Sequence, residues 1–429
     1  MLDIRLFRDE PERVRAGLAR LGEDAAIVDR VRDVDGTIRE LKTAAETRKA
    51  ELNTLSKAMA KATPAEREAG RANLRALGDE IAGLDGRRGE AEAELNRMLL
   101  GIPNLPDAQV PDGPDDSANI VLRTVGEPRR FDFEPRPHWE LGERLGILDI
   151  PRGVKISGAR FYVLTGAGAA LQRALISFML DLHIRHHGYT EIYPPYMVKE
   201  ECLVGTGNLP KFAENLYHDA EEDFWLIPTA EVPLTNLHRD EILDRGELPK
   251  RYVAYTPCFR RERMSAGRDV RGIKRGHQFD KVEMVKLVEP SRSDEELCSL
   301  IGNAEAVCAA LEIPHRVVQM CTGDLSFVAA AKQDVELWSP ACDDSGGEWL
   351  EVSSCSNFRD YQARRTNLRY RPEPGGKPAL VHTLNGSGLA LPRTLIAVLE
   401  NYQNADGSVT IPPVLRPWMG GAESIAAIF

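Results

Sequence analysis

The sequence predicts an α+β protein of two unlike parts: a long antiparallel two-helix hairpin, then a larger body built on a mostly antiparallel β-sheet flanked by helices. Three observations predict it. A heptad series runs through much of the first hundred residues, a stretch rich in proline and aspartate interrupts the chain after it, and strand-like alternation then mingles with helical stripes.

The first series is Ile27, Val31, Val34, Ile38, Leu41, Ala45, Arg48, Leu52, Leu55, Met59, stepping by four and three with one polar member. Pro64 should break the helix, and a second series follows: Leu74, Leu77, Ile81, Leu84, Arg88, Ala91, Leu95, Met98. Two such helices joined by a short breaker cover each other's apolar seams. Helices of roughly 33 residues reach about 50 Å. Residues 25 to 100 carry fourteen basic and fourteen acidic side chains, so this hairpin is neutral within a chain of formal net charge -11. A dimerisation or scaffold element is one reading. A lever that holds an elongated polyanion is the other, with Arg71, Arg75, Arg87 and Arg88 meeting phosphates. Periodicity does not choose between them.

The stretch "GIPNLPDAQVPDGPDDSAN" marks a linker over roughly 101–118 and separates an arm, 1–105, from a body, 106–429. In the body, Leu171, Leu175, Phe178 and Leu182 form a helical stripe that should end near Gly188. "YVAYTPCFRRE", "HQFDKVEMVKLV" and "WLEVSSC" read as strands. A last helix begins near Leu391, where Pro392 is tolerated in the first turn.

Composition narrows the function. An acidic chain draws no polyanion as a whole, so a nucleotide or nucleic-acid site must be a local positive patch. Seven scattered cysteines, none in C-x-x-C spacing, predict neither a disulfide framework nor zinc, and point to a reducing cytoplasm. The N-terminus lacks a signal-peptide core, and the most apolar window is broken by Gln172, Arg173 and Asp181, so no membrane span is expected.

One local patch exists. Residues Arg260 to Arg275 hold seven Lys or Arg against two acids. If the two strands around it pair, 263–275 becomes a long, basic, mobile connection. Alternation then places Arg260 and Glu262 on one face of the first strand, and Phe279, Lys281 and Glu283 on one face of the second. An arginine fork, an aromatic ring and carboxylates together suit a nucleotide. Neither G-x-x-x-x-G-K-[ST] nor G-x-G-x-x-G occurs, so side chains would have to hold its phosphates. A solvated surface hairpin is the bland alternative.

The segment resembles motif 2 of class II aminoacyl-tRNA synthetases, with Phe259, Arg260, Arg261 and Glu262 as its Phe-Arg-x-Glu core. "NGSGLALPRTLIAVLENYQ" is similar to motif 3, with Arg393, and "GYTEIYPPYMV" to motif 1, with Pro195. "PTAEVPLTN", "HQFDKVEMV", "LEVSSCSN" followed by "QARR", and "VLRPWMGG" extend the resemblance specifically to the bacterial-type seryl-tRNA synthetases, over essentially the full length. It implies a class II catalytic domain that forms seryl-adenylate from L-serine and ATP. The seryl group then passes to tRNA(Ser), and to tRNA(Sec) wherever that tRNA exists. By the same resemblance Arg260 holds the α-phosphate, Arg393 the γ-phosphate, Glu262 the adenine amino group and Phe279 the ring. Glu351 and Ser354 hold Mg²⁺, while Thr229, Glu231, Glu283 and Ser387 bind serine. A homodimer through motif 1 is implied, the arm of one subunit serving tRNA at the other's site. Proline before the motif 3 arginine, and "SSCSNFRDYQARR" in place of common spellings with a second cysteine, are departures that remove none of these residues.

Rivals remain at this point: a carrier-protein ligase, whose relatives lack the arm; a catalytically silent tRNA-binding paralogue, which usually loses motif residues; and a coiled-coil scaffold, which explains only the first hundred residues.

Overall fold

The two heptad series become two long helices, α1 (Ile27–Lys61) and α2 (Pro64–Leu100). The structure, a computed structural model, describes residues 1–263, 271–341 and 346–426. It divides into two compact units, Met1–Leu105 and Pro106–Phe429. In the first unit every member of both series is buried or half-buried. The arginines at seam positions are accommodated by pairing: Arg48 Nε donates to Glu80 Oε1 of the facing helix at 2.9 Å, and Arg88 lies 3.2 Å from Asp85. Pro64 does not merely break the chain. It is the first residue of α2, behind a capping box in which Thr63 and Glu66 satisfy each other's backbone N–H groups. Of the arginines expected to meet phosphates, Arg75 and Arg87 are exposed, Arg71 is exposed beside Glu68, and Arg88 is a half-buried seam residue.

The second unit is organised by one eight-stranded sheet. Its strands are β1 (Ile120–Val125), β2 (Thr190–Glu191), β3 (Lys250–Phe259), β4 (Gln278–Val288), β5 (His315–Gln319), β6 (Ala331–Ser339), β7 (Glu348–Asn357) and β8 (His382–Ala390). The order is β1-β5-β6-β7-β8-β4-β3-β2, antiparallel throughout except for β2 beside β3. Three helices, α3 (Ala167–His187), α4 (Ser293–Ala310) and α5 (Leu391–Asn401), pack on the sheet and α3 touches both others. The stripe of α3 is buried at Leu171, Leu175 and Phe178, and Gly188 ends the helix in the left-handed region at φ 72°.

Strand β4 has two faces. Val282, Met284 and Val288 enter the core beneath the helices, whereas Phe279, Lys281 and Glu283 point to a cleft on the opposite face. On the helix side Lys286 is fully buried. Its ammonium donates to Glu296 Oε2 at 2.9 Å, to the Glu296 carbonyl at 3.1 Å and to Ser299 Oγ at 3.1 Å. Arg251 of β3 reaches the other oxygen of Glu296 at 2.7 Å. This cluster staples α4 to the two strands that frame the basic segment.

Two expectations about that segment need correction. Strand β3 ends at Phe259 and its ladder runs one rung further, so alternation holds as far as Arg260 but does not set the direction of Glu262, which sits in the left-handed region at φ 50°. Nor is the whole connection a mobile loop. Residues 264–270 lie outside the described residues, but Ile273 is 1 % exposed and belongs to the main core.

Removing one partner of the staple leaves a buried charge. Glu296→Ala is therefore expected to cost about 3–5 kcal/mol in urea unfolding; a loss below about 1 kcal/mol would show that the cluster behaves as a surface pair.

Candidate active site

All ten residues proposed from the sequence line one cleft of about 640 Å³: Thr229, Glu231, Arg260, Glu262, Phe279, Glu283, Glu351, Ser354, Ser387 and Arg393. A volume of that order accommodates a nucleotide-sized ligand.

At one end lies a carboxylate pocket. Ser387 of β8 stands directly opposite Glu283 of β4, so its hydroxyl donates to Glu283 Oε2 at 3.2 Å. Lys281 Nζ approaches the same oxygen at 2.7 Å. Glu231 opens a short helix, Glu231–Asn236, and its N–H is accepted by Thr229 Oγ1 at 3.3 Å. Thr229 thus serves the helix start while also lining the cleft. Asn385 bridges the two acids, donating from Nδ2 to Glu283 Oε1 at 2.8 Å and to Glu231 Oε2 at 3.0 Å. The remaining oxygen of Glu231 accepts from Gln362 Nε2 at 2.6 Å, and Thr383 Oγ1 donates to Gln362 Oε1 at 2.7 Å, which fixes the amide's direction. Burial, with repulsion from Glu283, raises the Glu231 carboxyl to about 7, against weaker opposing pulls from Gln362, Lys281 and Arg260.

Neither Asn385 nor Gln362 was singled out from the sequence. Asn385 was legible, since it stands two residues before Ser387 on the same strand face. Gln362 opens the "QARR" mark but carried no alternation signal, because it reaches the pocket from the helix Tyr361–Thr366, which is not part of the sheet.

The middle of the cleft belongs to Arg260 and Phe279. The backbone of Arg260 prolongs the ladder by one rung, donating to the His277 carbonyl at 2.9 Å. Its guanidinium donates to the Pro228 carbonyl at 3.3 Å and lies 5.0 Å from the centre of the Phe279 ring. Glu262 is reached by Arg275 at 3.5 Å. Lys274 and Arg275, also cleft-lining, are basic-segment residues given no individual role from the sequence.

At the other end Arg393, in the first turn of α5, donates to the Glu351 carbonyl at 2.7 Å and lies 3.4 Å from its carboxylate. Burial opposes charge on Glu351, but Arg393, Lys332 and Arg260 outweigh it and hold the carboxyl at about 2. Its side chain is 46 % exposed, all the same, because it faces the open cleft within a wall of protein. Glu351 and Ser354 are three apart on β7, and strict alternation would send them to opposite faces. Between Val335 and Glu336 of β6 the register shifts, so that Val352 is an extra residue, and this bulge turns both toward the cleft. A second shift, between Ser387 and Ala390, adjusts β8 just before α5 carries Arg393 inward.

Among the described residues no cluster of three or more His, Cys, Asp or Glu side chains could hold a metal by itself. Six of the cysteines, Cys202, Cys258, Cys298, Cys308, Cys321 and Cys355, are free thiols. No helix among the described residues is long and apolar enough to cross a membrane.

An antiparallel sheet with three helices on one face, and arginines converging from a β-hairpin and a helix start on the other, defines the class II aminoacyl-tRNA synthetase core. Residues 212–402 match the tRNA synthetase class II core domain (G, H, P, S and T), and residues 1–106 the seryl-tRNA synthetase N-terminal domain. The chain is 60% identical over 427 residues to a serine–tRNA ligase from Thermomicrobium roseum, covering 99% of this chain and 95% of that protein. It is 59% identical over 426 residues to the one from Herpetosiphon aurantiacus, covering 99% and 100%. The crystal structure of seryl-tRNA synthetase from Pyrococcus horikoshii complexed with ATP superposes with a TM-score of 0.93 at 37% identity, covering 100% of both chains. The chain belongs to the seryl-tRNA synthetase family, whose members are serine–tRNA ligases.

The Glu231 shift has a consequence for stability. Its folded value, about 7, lies above its ordinary 4.5, so its stabilising contribution is full below 4.5 and is lost as pH rises through about 7. Urea unfolding between pH 5 and 8 should show this fall, and Glu231→Gln should flatten it. An unchanged slope in the variant would assign the fall to another group.

Proposed function

We propose that this cleft performs the two-step ligation of the family with the residues in the following roles. The L-serine carboxylate attacks the α-phosphorus of ATP, the bond to the β-phosphate oxygen breaks, and pyrophosphate leaves as seryl-adenylate forms. The terminal ribose hydroxyl of tRNA(Ser) then attacks the seryl carbonyl and AMP departs. Arg260 neutralises the α-phosphate, where charge develops during attack, and Arg393 holds the γ-phosphate; both act through the planar fork that lysine lacks. Phe279 stacks on adenine and Glu262 accepts from its amino group.

In the carboxylate pocket Glu231 and Glu283, with Thr229, receive the serine ammonium and hydroxyl, joined by Ser387. A site that hydrogen-bonds the substrate hydroxyl rejects alanine strongly, because its own polar groups would be left unpaired. Glu351 and Ser354 offer oxygen donors, which fit Mg²⁺; one carboxylate and a hydroxyl suffice where ATP phosphates complete the shell. When bound, the ion would neutralise charge on those phosphates.

The observation that carries this reading is the convergence in one cleft of all ten residues named from separate motifs. The arm, Met1–Leu105 by its packing, is proposed to bind tRNA through its backbone, with tRNA(Sec) a further substrate wherever it exists and the cytoplasm as the compartment. A homodimer through motif 1 is proposed as well; exposure of Tyr193 and Met197 on either side of Pro195, at 85 % and 55 %, supports it.

Arg260→Ala and Arg393→Ala should each lower serine-dependent ATP–pyrophosphate exchange at least about 100-fold, as loss of a charge-stabilising donor does elsewhere, without changing the melting temperature. Near-normal exchange in either would remove its phosphate role. Deleting 27–100 should spare exchange and cripple charging of tRNA(Ser). Unimpaired charging would return the arm to a structural part, and exchange without charging by the full chain would favour a carrier-protein ligase.

A further inference from the structure

We infer that His138 is a positioning residue, a latch that ties the C-terminal limb of the basic segment to the helix bearing Arg393. His138 opens the short helix His138–Arg144 and is fully buried. Its backbone N–H and its Nδ1 both meet Glu400 Oε1 at 2.9 Å. Glu400, also fully buried, lies in the last turn of α5. Its second oxygen accepts from Ser339 Oγ at 2.6 Å and from the Ala341 N–H at 3.0 Å. This carboxylate therefore collects four donors from three residues in two separate segments.

The chemistry of the ring follows. A carboxylate only accepts, so the imidazole proton sits on Nδ1, which leaves a lone pair on Nε2. That lone pair is used: the Ile273 N–H donates to Nε2 at 3.2 Å. Ile273 would otherwise bury its N–H without a partner.

The neighbouring residues reinforce the contact. Gly272 crosses the ring at φ 69°, where a Cβ would fall 2.0 Å from Nε2. The Arg271 guanidinium lies 4.7 Å from the centre of the Trp139 ring, beside His138 in the chain. Lys274 pairs with Glu348 of β7, and Arg275 with Glu262. Hence the limb that brings Lys274 and Arg275 to the cleft takes its position from the far end of α5. The near end of the same helix carries Arg393. One rigid helix would set both the cation at its start and the basic limb latched at its finish.

This inference rests on reading the cleft as the ATP site. The test therefore includes a measurement made without nucleotide. His138→Asn reproduces the Nδ1 donor but ends short of Ile273, whereas His138→Gln places an acceptor near the Nε2 position. In the full-length protein, His138→Asn should speed hydrogen exchange of the Ile273 amide about tenfold, the worth of one hydrogen bond. It should also raise the KM for ATP in pyrophosphate exchange by about tenfold, with kcat changed far less. His138→Gln should restore both most of the way. Should His138→Asn not fold, Gly272→Ala, whose Cβ would fall on Nε2, forces the limb and the ring apart, and the same rise in KM is expected. A protected Ile273 amide in His138→Asn, or equal damage from Asn and Gln, would overturn the latch. Faster amide exchange with an unchanged KM for ATP would keep the latch and sever it from nucleotide binding, overturning the positioning role.

Discussion

Everything in the cleft depends on the two-sidedness of strand β4. Because successive residues of a strand point to opposite faces, one eleven-residue segment can anchor the core with Val282, Met284 and Val288 while presenting Phe279, Lys281 and Glu283 to the cleft. The helix-side staple of Lys286 with Glu296 holds that strand from behind. The hydrophobic effect supplies the grip, and the alternation converts it into direction.

Electrostatics is the second constraint. A chain with net charge -11 must gather cations locally to hold an anionic ligand, and the cleft gathers them without leaving them as an uncompensated patch. Arg393 lies against Glu351, Arg275 against Glu262, and Lys281 against Glu283. The acids differ in consequence. Glu351, ringed by Arg393, Lys332 and Arg260, is held at about 2, while Glu231, buried beside Glu283, is raised to about 7. Two carboxyls in one cleft thus have distinct proton affinities, and they sit at the ends proposed for phosphate and for serine.

Much of this was legible beforehand. The heptad steps located both arm helices because a seam every 3.5 residues has no other economical explanation. Alternation put Phe279, Lys281 and Glu283 on one face, and the same rule extended to Ser387 would have found Asn385. The rule failed where the backbone departs from regularity. The ladder of strand β3 reaches only one rung past Phe259, to Arg260, and Glu262 beyond it turns into the left-handed region at φ 50°. Glu351 and Ser354 share a face only through the bulge at Val352, and nothing local in "LEVSS" announces an extra residue in the ladder.

The sequence by itself determined the two-part architecture, the family and the ten residues of the cleft, since each is written in spacing or in contiguous motifs. The tertiary structure alone decided which groups share a proton, a carboxylate or a face. Gln362 meets Glu231 across 131 positions, and His138 meets Glu400 across 262. The physical reason is range: periodicity reports the geometry of one element, whereas a hydrogen bond between distant segments depends on how those elements pack, which no local pattern encodes.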